Sequence, residues 1–313
     1  MSTLTAAPAR LFSLGHELDT SPEAFGELQS SMDLIDDIEA LRTRLNDNGY
    51  LFLPGYLNRE EVLEARDEIA ARLEAKDWLD PNYPREELVA RVGSAFAFAP
   101  ELTINNAPLM KVLYDGPMMD FYARIFGATK DNPVRHFDYT WFRAVAPGQS
   151  TAPHMDIVYM GRGTHNLLTA WTPIGDVPLE VGGLMILEKS HLHERLNKNY
   201  GQKDVDKFCT NRRVEDYTGM GGGGNISSGG WLSKNPAKLR EHLGGRWLTA
   251  EYSAGDLITF KMNTIHAGID NQSNRIRLSS DSRYQLASEP VDERWIGENP
   301  IAHGPAGKRG MIC

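Results

Sequence analysis

The residues best suited to chemistry in this chain are two histidines and one carboxylate: His154, Asp156 and His266. His154 and Asp156 lie two positions apart, so in extended backbone both side chains point to one face and can reach one ion. His266, far along the chain, would complete the set. Two imidazoles and one carboxylate leave coordination positions open and suit Fe(II) that activates O₂. The spacing therefore predicts a non-haem iron site.

A second triplet of the same form, His136 to Asp138, competes for this assignment. The chain has nine histidines, so such a triplet arises readily by chance, and taken alone each one fits an ordinary surface or core histidine. His136 begins a continuous strand-like run, whereas His154 follows a turn and stands at the start of the next strand. Functional residues favour such loop–strand junctions, and we therefore favour His154.

A basic residue and a hydroxyl follow on one strand face. Arg277 lies eleven positions after the distal histidine (277 − 266), and Ser279 shares its parity. An arginine fork beside a hydroxyl suits bidentate capture of a carboxylate. Alone, Arg277 would fit a surface or salt-bridge role, as would Arg275. Asp281 and Arg283 have the same parity, and a mutual ion pair would explain them without any function.

The elements that position these residues change in type along the chain. Apolar spacing predicts helices over 34–45, 59–75 and 108–126, the last one broken at 116–117, with Asn58 as the N-cap of the second. Runs of β-branched and aromatic residues predict strands over 50–53, 136–145, 167–174, 184–188, 257–262 and 275–284. Helices followed by many short strands indicate an α+β or mainly β protein with a sandwich or barrel as its catalytic half.

The same pattern predicts the domain organisation. Residues 1–30 have no clear period and indicate a loose leader, and residues 288–313 form a Pro/Gly-rich tail. Between them we expect a single domain over 31–287, with a helical part over 31–132 and a β core over 133–287. Residues 201–247 interrupt the strands with a glycine run and indicate a lid-like insertion. In it, Arg212 and Arg213 could close over an acidic substrate, although solvated arginines are the default.

Several spaced motifs together resemble the phytanoyl-CoA hydroxylase-like branch of the 2-oxoglutarate dioxygenases, which includes ectoine hydroxylase. The resemblance covers most of the chain, and the similar segments are 47–55, His154 to Asp156, 171–176, 182–187, Ser190-His191, His266, Asn271 and Arg277. Lys189 stands where the family usually has glycine.

The resemblance implies a double-stranded β-helix, a jelly-roll or cupin-like fold, with flanking N-terminal helices. It also implies that 2-oxoglutarate chelates Fe(II), with Arg277 and Ser279 holding the far carboxylate. Reaction with O₂ would release succinate and CO₂ and oxidise an unactivated C–H bond, by hydroxylation or a related step such as desaturation. The carboxylate of Asp156 favours hydroxylation over halogenation, because halide would need that coordination position.

Roles near the substrate are less specific. Tyr139, Trp171 and Arg143 are candidates for the substrate pocket, but strand aromatics are more often core, and Arg143 fits a structural role equally well. His165 and His191 are expected to be structural or to support the ligands. The alternative function is a metal-binding relative without turnover that acts as a ligand sensor or binding module. A purely structural protein would leave the ligand set unexplained.

Composition limits the partners. The formal charge is −9 with no Lys/Arg-rich run, which argues against nucleic-acid and membrane partners and favours a small-molecule substrate. The first residues lack the apolar stretch of a secretory signal, and no run of about 18 apolar residues occurs. Two cysteines cannot form a secreted disulfide framework, so we expect a cytoplasmic location. The sequence specifies neither the substrate's identity nor the oligomeric state.

Overall fold

The computed structural model of this chain describes residues 10–209 and 230–311. In these residues seven α-helices occur: α1 Ile38–Asn48, α2 Arg59–Ala75, α3 Ala107–Tyr114, α4 Gly116–Phe126, α5 Ile157–Met160, α6 Glu194–Lys198 and α7 Pro236–Leu243. The strands are β1 Phe12–Ser13, β2 His16–Glu17, β3 Phe25–Glu27, β4 Tyr50–Leu53, β5 Val134–His136, β6 Trp141–Val145, β7 Leu168–Pro173, β8 Leu184–Leu187, β9 Lys207–Cys209, β10 Trp247–Thr249, β11 Leu257–Lys261, β12 His266–Gly268, β13 Arg277–Leu286 and β14 Arg309–Met311.

Two larger sheets organise the protein. One has six strands in the order β4-β11-β7-β13-β5, with β6 also pairing with β13, and all its pairings are antiparallel. The other has the order β12-β8-β10-β3, in which only the β10–β3 pairing is parallel. Helices and several sheets are thus combined, as predicted, and in the described part of the chain the larger sheets do not close into a barrel.

Alternation of side chains makes the six-stranded sheet the middle layer. In β4, Leu51 and Leu53 belong to the apolar cluster shared with helices α1 to α4. Tyr50 and Phe52 point to the opposite face and pack in a second cluster with residues of β8 and β10, among them Ile186. Because a strand alternates its faces at every residue, one sheet can bury both faces. The inner face of this sheet therefore lies against the four-stranded sheet.

Most predicted boundaries agree with the structure. The Asn58 side chain accepts hydrogen bonds from the amides of Glu60 and Glu61 and begins α2 where the sequence predicts it. The helix predicted over 108–126 is two helices, α3 and α4, which are separated at Asp115, one residue before the predicted break at 116–117. The strand predicted over 136–145 is instead two strands, β5 and β6. The chain leaves the sheet between them, because the amide of Asp138 donates to the carbonyl of Trp295 and not to a neighbouring strand.

The end of α1 is held by residues that follow β8. Gly49 has φ +80°, and a Cβ added to it would lie 2.4 Å from Nδ1 of His191. The His191 ring donates from Nε2 to the carbonyl of Asn46 at 2.9 Å, and Lys189 donates to the carbonyl of Asp47 at 2.7 Å. Lys189 itself adopts φ +56°, so a lysine takes the conformation that glycine favours. The structural role expected of His191 is therefore helix capping.

The two ends of the chain differ from the prediction. Residues 10–30 are not a loose leader: β3 pairs with β10, and the side chains of Leu11 and Leu18 are buried in the cluster on the outer face of the four-stranded sheet. In the predicted tail, Arg294 and Trp295 are fully buried. Neither segment has a regular apolar period, because its buried residues dock onto elements distant in sequence rather than onto one helix or strand face.

The predicted insertion is described only in part. Residues 201–209 and 230–247 contain β9, which pairs in parallel with β14, and helix α7. The glycine run, Arg212 and Arg213 lie outside the described residues. The lid therefore stays a prediction, as does the single domain, although the docked segments place its limits outside the predicted 31–287.

No helix among residues 10–209 and 230–311 combines the length and the apolar composition that crossing a membrane requires.

Candidate active site

The two histidines of the predicted ligand set are paired through their backbones. His266 is the first residue of β12, and His154 forms an antiparallel bridge with it. Each amide nitrogen donates to the other residue's carbonyl at 3.1 Å. Directly opposed residues in an antiparallel pair project to the same face, and the two imidazole centroids are 4.2 Å apart. The edge of the four-stranded sheet therefore presents both rings together.

Asp156 completes a compact and buried group. Its Oδ1 lies 3.7 Å from Nε2 of His154 and 3.7 Å from Nε2 of His266, and the ligand atoms of all three lie within 4.8 Å of one another. Nδ1 of His154 meets the carbonyl of Ala152 at 2.8 Å, and Nδ1 of His266 meets that of Thr264 at 3.1 Å. A carbonyl only accepts, so each Nδ1 carries the proton and each Nε2 lone pair is free.

The other oxygen of Asp156 is fully engaged. Oδ2 accepts a hydrogen bond from Thr169 Oγ1 at 2.5 Å and one from Arg283 Nη2 at 2.9 Å. Thr169 and Arg283 are cross-strand partners in the β7–β13 pairing. Of the two carboxylate oxygens, Oδ1 is therefore the one that faces the histidines.

The contacts of Arg283 correct one expectation from the sequence. Arg283 and Asp281 do not form a mutual ion pair: the Asp281 carboxylate accepts from Arg143 Nε at 2.7 Å, while Arg283 pairs with Asp156. From Arg283, Nη1 donates instead to the backbone carbonyl of Asp281 at 2.8 Å. Strand parity correctly indicates the face, but the partners of these side chains come from neighbouring strands and are not visible in the local sequence.

Burial and charge set the protonation of the group. Burial, with the charge of His266 adding to it, lowers the pKa of His154 to about 3, and burial also lowers the pKa of His266. For Asp156, burial opposes ionisation, but Arg283 and the two histidines outweigh it and hold the pKa below its ordinary value. At neutral pH the group is thus two neutral imidazoles and one carboxylate, the form that binds divalent metals.

Arg277 is a buried cation with no ion-pair partner among the described residues. Both Arg277 and Ser279 are buried on β13, and among the described residues no group accepts a hydrogen bond from Arg277 Nε or pairs with Ser279 Oγ. The guanidinium lies 5.9 Å from the centre of a Trp171 ring, and burial together with the charge of Arg143 lowers the pKa of Arg277 to about 10. An unpaired buried charge is costly, so this position calls for an anionic ligand.

Arg277 opens into the same pocket as the histidines. His154, His266, Trp171 and Arg143 line it together with Arg277. The structure thus brings the predicted ligand set, the predicted carboxylate-binding arginine and two of the three predicted substrate residues into one place. Sequence reasoning missed Thr169 and Arg283, the pair that holds Asp156. Thr169 is one of two threonines in β7, and a strand pattern does not tell which of them meets a buried carboxylate.

The remaining predicted residues lie elsewhere. Tyr139 packs against the rings of Trp141 and Trp295, at 4.8 and 5.4 Å between centroids, and is not among the pocket's lining residues. The competing His136 stacks on Tyr114 at 4.1 Å between ring centroids and is not part of the group of candidate metal ligands. His165 is exposed. The geometry therefore favours His154 over His136.

Comparison with known proteins identifies a family for most of the chain. The sequence profile of the phytanoyl-CoA dioxygenase (PhyH) family matches residues 45–279. Two curated relatives are 1-deoxypentalenic acid 11-beta-hydroxylases. The one from Streptomyces exfoliatus is 26% identical over 166 residues, covering 50% of this chain and 56% of the relative. The one from Streptomyces arenae is 25% identical over 177 residues, covering 54% of this chain and 60% of the relative. Each alignment thus spans somewhat more than half of the relative's length.

Solved structures share the fold at lower identity. The non-heme alpha ketoglutarate dependent epimerase SnoN from nogalamycin biosynthesis matches with a TM-score of 0.55 and 19% identity, covering 86% of this chain and 94% of that one. EctD from S. alaskensis in its apoform matches with a TM-score of 0.54 and 14% identity, covering 96% of this chain and 98% of that one. At these identities the likeness concerns the fold alone.

Proposed function

The chain belongs to the phytanoyl-CoA dioxygenase (PhyH) family, and we propose that it is an Fe(II)- and 2-oxoglutarate-dependent dioxygenase that oxidises a small-molecule metabolite. One observation carries the proposal: the buried Arg277, which has no ion-pair partner among the described residues, lines one pocket with His154 and His266 of the group that Asp156 completes. A protein that only bound a metal ion would have no use for a buried cation at that place.

The ligand set fits Fe(II). Neutral imidazoles and a carboxylate are the donors of the facial arrangement typical of oxygen-activating iron. His154 and His266 each present a free Nε2, and Asp156 presents Oδ1, all toward the same small volume. Because the Nδ1 hydrogen bonds to backbone carbonyls fix both rings, the donors are oriented before any ion binds.

The other end of the pocket fits the distal carboxylate of 2-oxoglutarate. Arg277 supplies a guanidinium and Ser279 a hydroxyl on the same strand face, and Arg277 Nε and Ser279 Oγ have no hydrogen-bond partner among the described residues. A dicarboxylate held there would have its 2-oxo acid end directed toward the histidines that line the same pocket. The ion pair would offset the cost of burying Arg277.

When bound, Fe(II) with 2-oxoglutarate and O₂ supplies an oxidant strong enough to take hydrogen from an unactivated C–H bond, with release of succinate and CO₂. The chain's own part is to bind and orient. Arg277 and Ser279 fix one end of the co-substrate, Trp171 forms an apolar wall beside it, and the buried surroundings exclude water that would favour side reactions.

The proposed function also implies a fold. We propose that the six-stranded and four-stranded sheets are the two sheets of a double-stranded β-helix, with the N-terminal helices packed outside. Support comes from the placement of the site, because Arg277 lies on one sheet and His266 on the other, while both line one pocket. A single domain, whose limits extend beyond the predicted 31–287 because the segments on both sides dock onto it, and a cytoplasmic location belong to the same proposal.

The substrate is proposed to be a small metabolite that approaches Arg143. This arginine lines the pocket, and 19% of its side chain is exposed. Its Nε pairs with Asp281 and its Nη1 donates to Thr151 Oγ1 at 3.4 Å, which leaves Nη2 for an anionic group. The curated relatives are named for an acid substrate, 1-deoxypentalenic acid, which supports an acidic metabolite for this chain as well.

The test is anaerobic reconstitution with Fe(II), then addition of O₂ and a panel of metabolites while succinate is measured. We expect succinate release that requires 2-oxoglutarate and rises with one metabolite class, acids before their methyl esters. Tight binding of Fe(II) and 2-oxoglutarate with no succinate from any metabolite would favour the alternative of a ligand-binding module. Absence of 2-oxoglutarate binding would contradict the proposal outright.

A further inference from the structure

The arrangement around Asp156 points to a role for two residues that do not touch the ion position. We propose that Thr169 and Arg283 are positioning residues that restrict Asp156 to a single coordinating oxygen. The inference rests on the proposed metal site, but it concerns how the carboxylate binds rather than whether a metal binds.

The hydrogen bonds give the two carboxylate oxygens of Asp156 different surroundings. Oδ2 accepts from Thr169 at 2.5 Å and from Arg283 at 2.9 Å. Two donors occupy both in-plane lone pairs of that oxygen. Oδ1 faces the two Nε2 atoms of the histidines. A carboxylate is able to bind a metal through one oxygen or through both, and here the protein removes the second option.

The donors themselves are held in place. Thr169 and Arg283 are directly opposed in the β7–β13 pairing, so the sheet sets their separation. Arg283 also donates from Nη1 to the carbonyl of Asp281 at 2.8 Å, and its guanidinium lies 4.4 Å from the centre of a Trp141 ring. Both side chains are buried. Rotation of Asp156 would therefore break two hydrogen bonds whose donors have no freedom to follow.

This restriction matters for the co-substrates. A carboxylate that bound through both oxygens would take one more coordination position beside the two imidazoles. The chelating end of 2-oxoglutarate needs two positions and O₂ needs another, so a second oxygen from Asp156 would compete with them. Holding Oδ2 away from the ion keeps those positions open. Loss of Thr169 or Arg283 should therefore weaken the binding of the co-substrates.

The decisive variant is Thr169→Val, which removes the hydroxyl and keeps the shape. Thr169→Ser retains the donor, and Thr172→Val is the matched control, because Thr172 is a buried threonine of the same strand on the opposite face. Arg283→Met tests the second donor, although it also leaves Asp156 without its cation. Each protein is loaded anaerobically with Co(II), whose visible spectrum reports coordination number, and separately with Fe(II) for titration with 2-oxoglutarate.

We expect Thr169→Val to change the Co(II) spectrum and to weaken 2-oxoglutarate binding about tenfold, similar to the smallest effects that residues behind a metal ligand typically have on metal affinity or activity. Thr169→Ser and Thr172→Val should match the wild type in both measurements. A wild-type spectrum and wild-type 2-oxoglutarate affinity in Thr169→Val would overturn the inference while leaving the proposed function intact. If the wild-type protein itself binds no metal, the proposed function fails instead, and the two failures are distinguishable.

Discussion

His154 and His266 are hydrogen-bonded partners, each amide donating to the other's carbonyl at 3.1 Å, although 112 positions separate them (266 − 154). The pairing continues the β12–β8 ladder, in which His266 is opposite Ile186. The imidazoles are therefore brought together by the sheet itself and do not depend on an ion to meet. A preformed site of this kind should bind metal without a large folding change.

Loss of a ligand should abolish metal binding while the fold persists. His154→Ala and His266→Ala each remove one donor from a pocket wall, and Asp156→Asn removes the charge while it keeps a group beside Thr169 and Arg283. We expect anaerobic equilibrium dialysis to show no stoichiometric Fe(II) in these variants. His136→Ala is the control and should bind Fe(II) as the wild type does. Iron lost in His136→Ala and kept in His154→Ala would reverse the choice of triplet.

How much of the site the sequence predicts follows from how local each signal is. His154 and Asp156 are two residues apart, and Arg277 and Ser279 share one strand face, so period-two alternation is enough to group them. The partner of Arg283 could not be predicted in this way. Parity gives the face of a strand, but the register that sets Thr169 opposite Arg283 forms only when β7 and β13 pair.

The elements of the fold that the sequence predicts are likewise those with a local signal. Helix α2 was predictable because its cap at Asn58 and its apolar period are local. Leu11 and Trp295 gave no such signal, since each is buried by contact with elements far away in sequence. Irregular segments carry no periodicity, and a sequence pattern therefore underestimates how firmly they pack.

Replacement of Gly49 should be more costly than replacement of a glycine in open space. Gly55→Ala measures the backbone cost alone, about 1–2 kcal/mol, because Gly55 has φ +66° and no atom near an added Cβ. Gly49→Ala adds contact with the His191 ring at 2.4 Å, and overpacking of this kind costs about 1–3 kcal/mol more.

Urea unfolding of these variants checks the prediction. The double variant Gly49→Ala/His191→Ala should recover part of the loss that Gly49→Ala shows, beyond what additivity of the two single changes gives. Equal unfolding free energies for Gly49→Ala and Gly55→Ala would mean that the His191 contact has no energetic weight.

The C-terminal segment should depend on one buried arginine. Arg294 is fully buried and pairs with Asp206 and Asp292, at 2.5 Å to each. Arg294→Met would leave two buried carboxylates without their cation, and we expect a loss of about 3–5 kcal/mol in the free energy of unfolding. Arg309→Met is the control, because Arg309 and its partner Glu293 are exposed, and such pairs contribute about 0–1 kcal/mol. Similar losses in both variants would contradict this ranking.

Acid should reduce the contribution of the Asp206–Arg294 ion pair to stability. Burial alone would raise the pKa of Asp206, but hydrogen bonds from His303 and Arg294 lower it below the ordinary 3.8. A carboxyl whose pKa is depressed by folding stabilises the protein above its ordinary pKa and loses that contribution as pH falls through the folded value. The stability difference between wild type and Asp206→Asn should therefore shrink as the pH falls from about 5 to about 3. A constant difference over that range, measured by thermal unfolding, would remove Asp206 from the acid response.

We expect the guanidinium of Arg277, the buried cation beside the histidines, to bind the distal carboxylate of 2-oxoglutarate. Anaerobic isothermal titration of 2-oxoglutarate into the Fe(II)-loaded protein measures this directly. Arg275→Ala is the matched control, because Arg275 is an exposed arginine two residues before Arg277. We expect Arg277→Ala to lose about 2–5 kcal/mol of binding free energy, Ser279→Ala to lose about 1 kcal/mol, and Arg275→Ala to match the wild type. Unchanged 2-oxoglutarate affinity in Arg277→Ala would contradict the account and favour a metal-binding module without turnover.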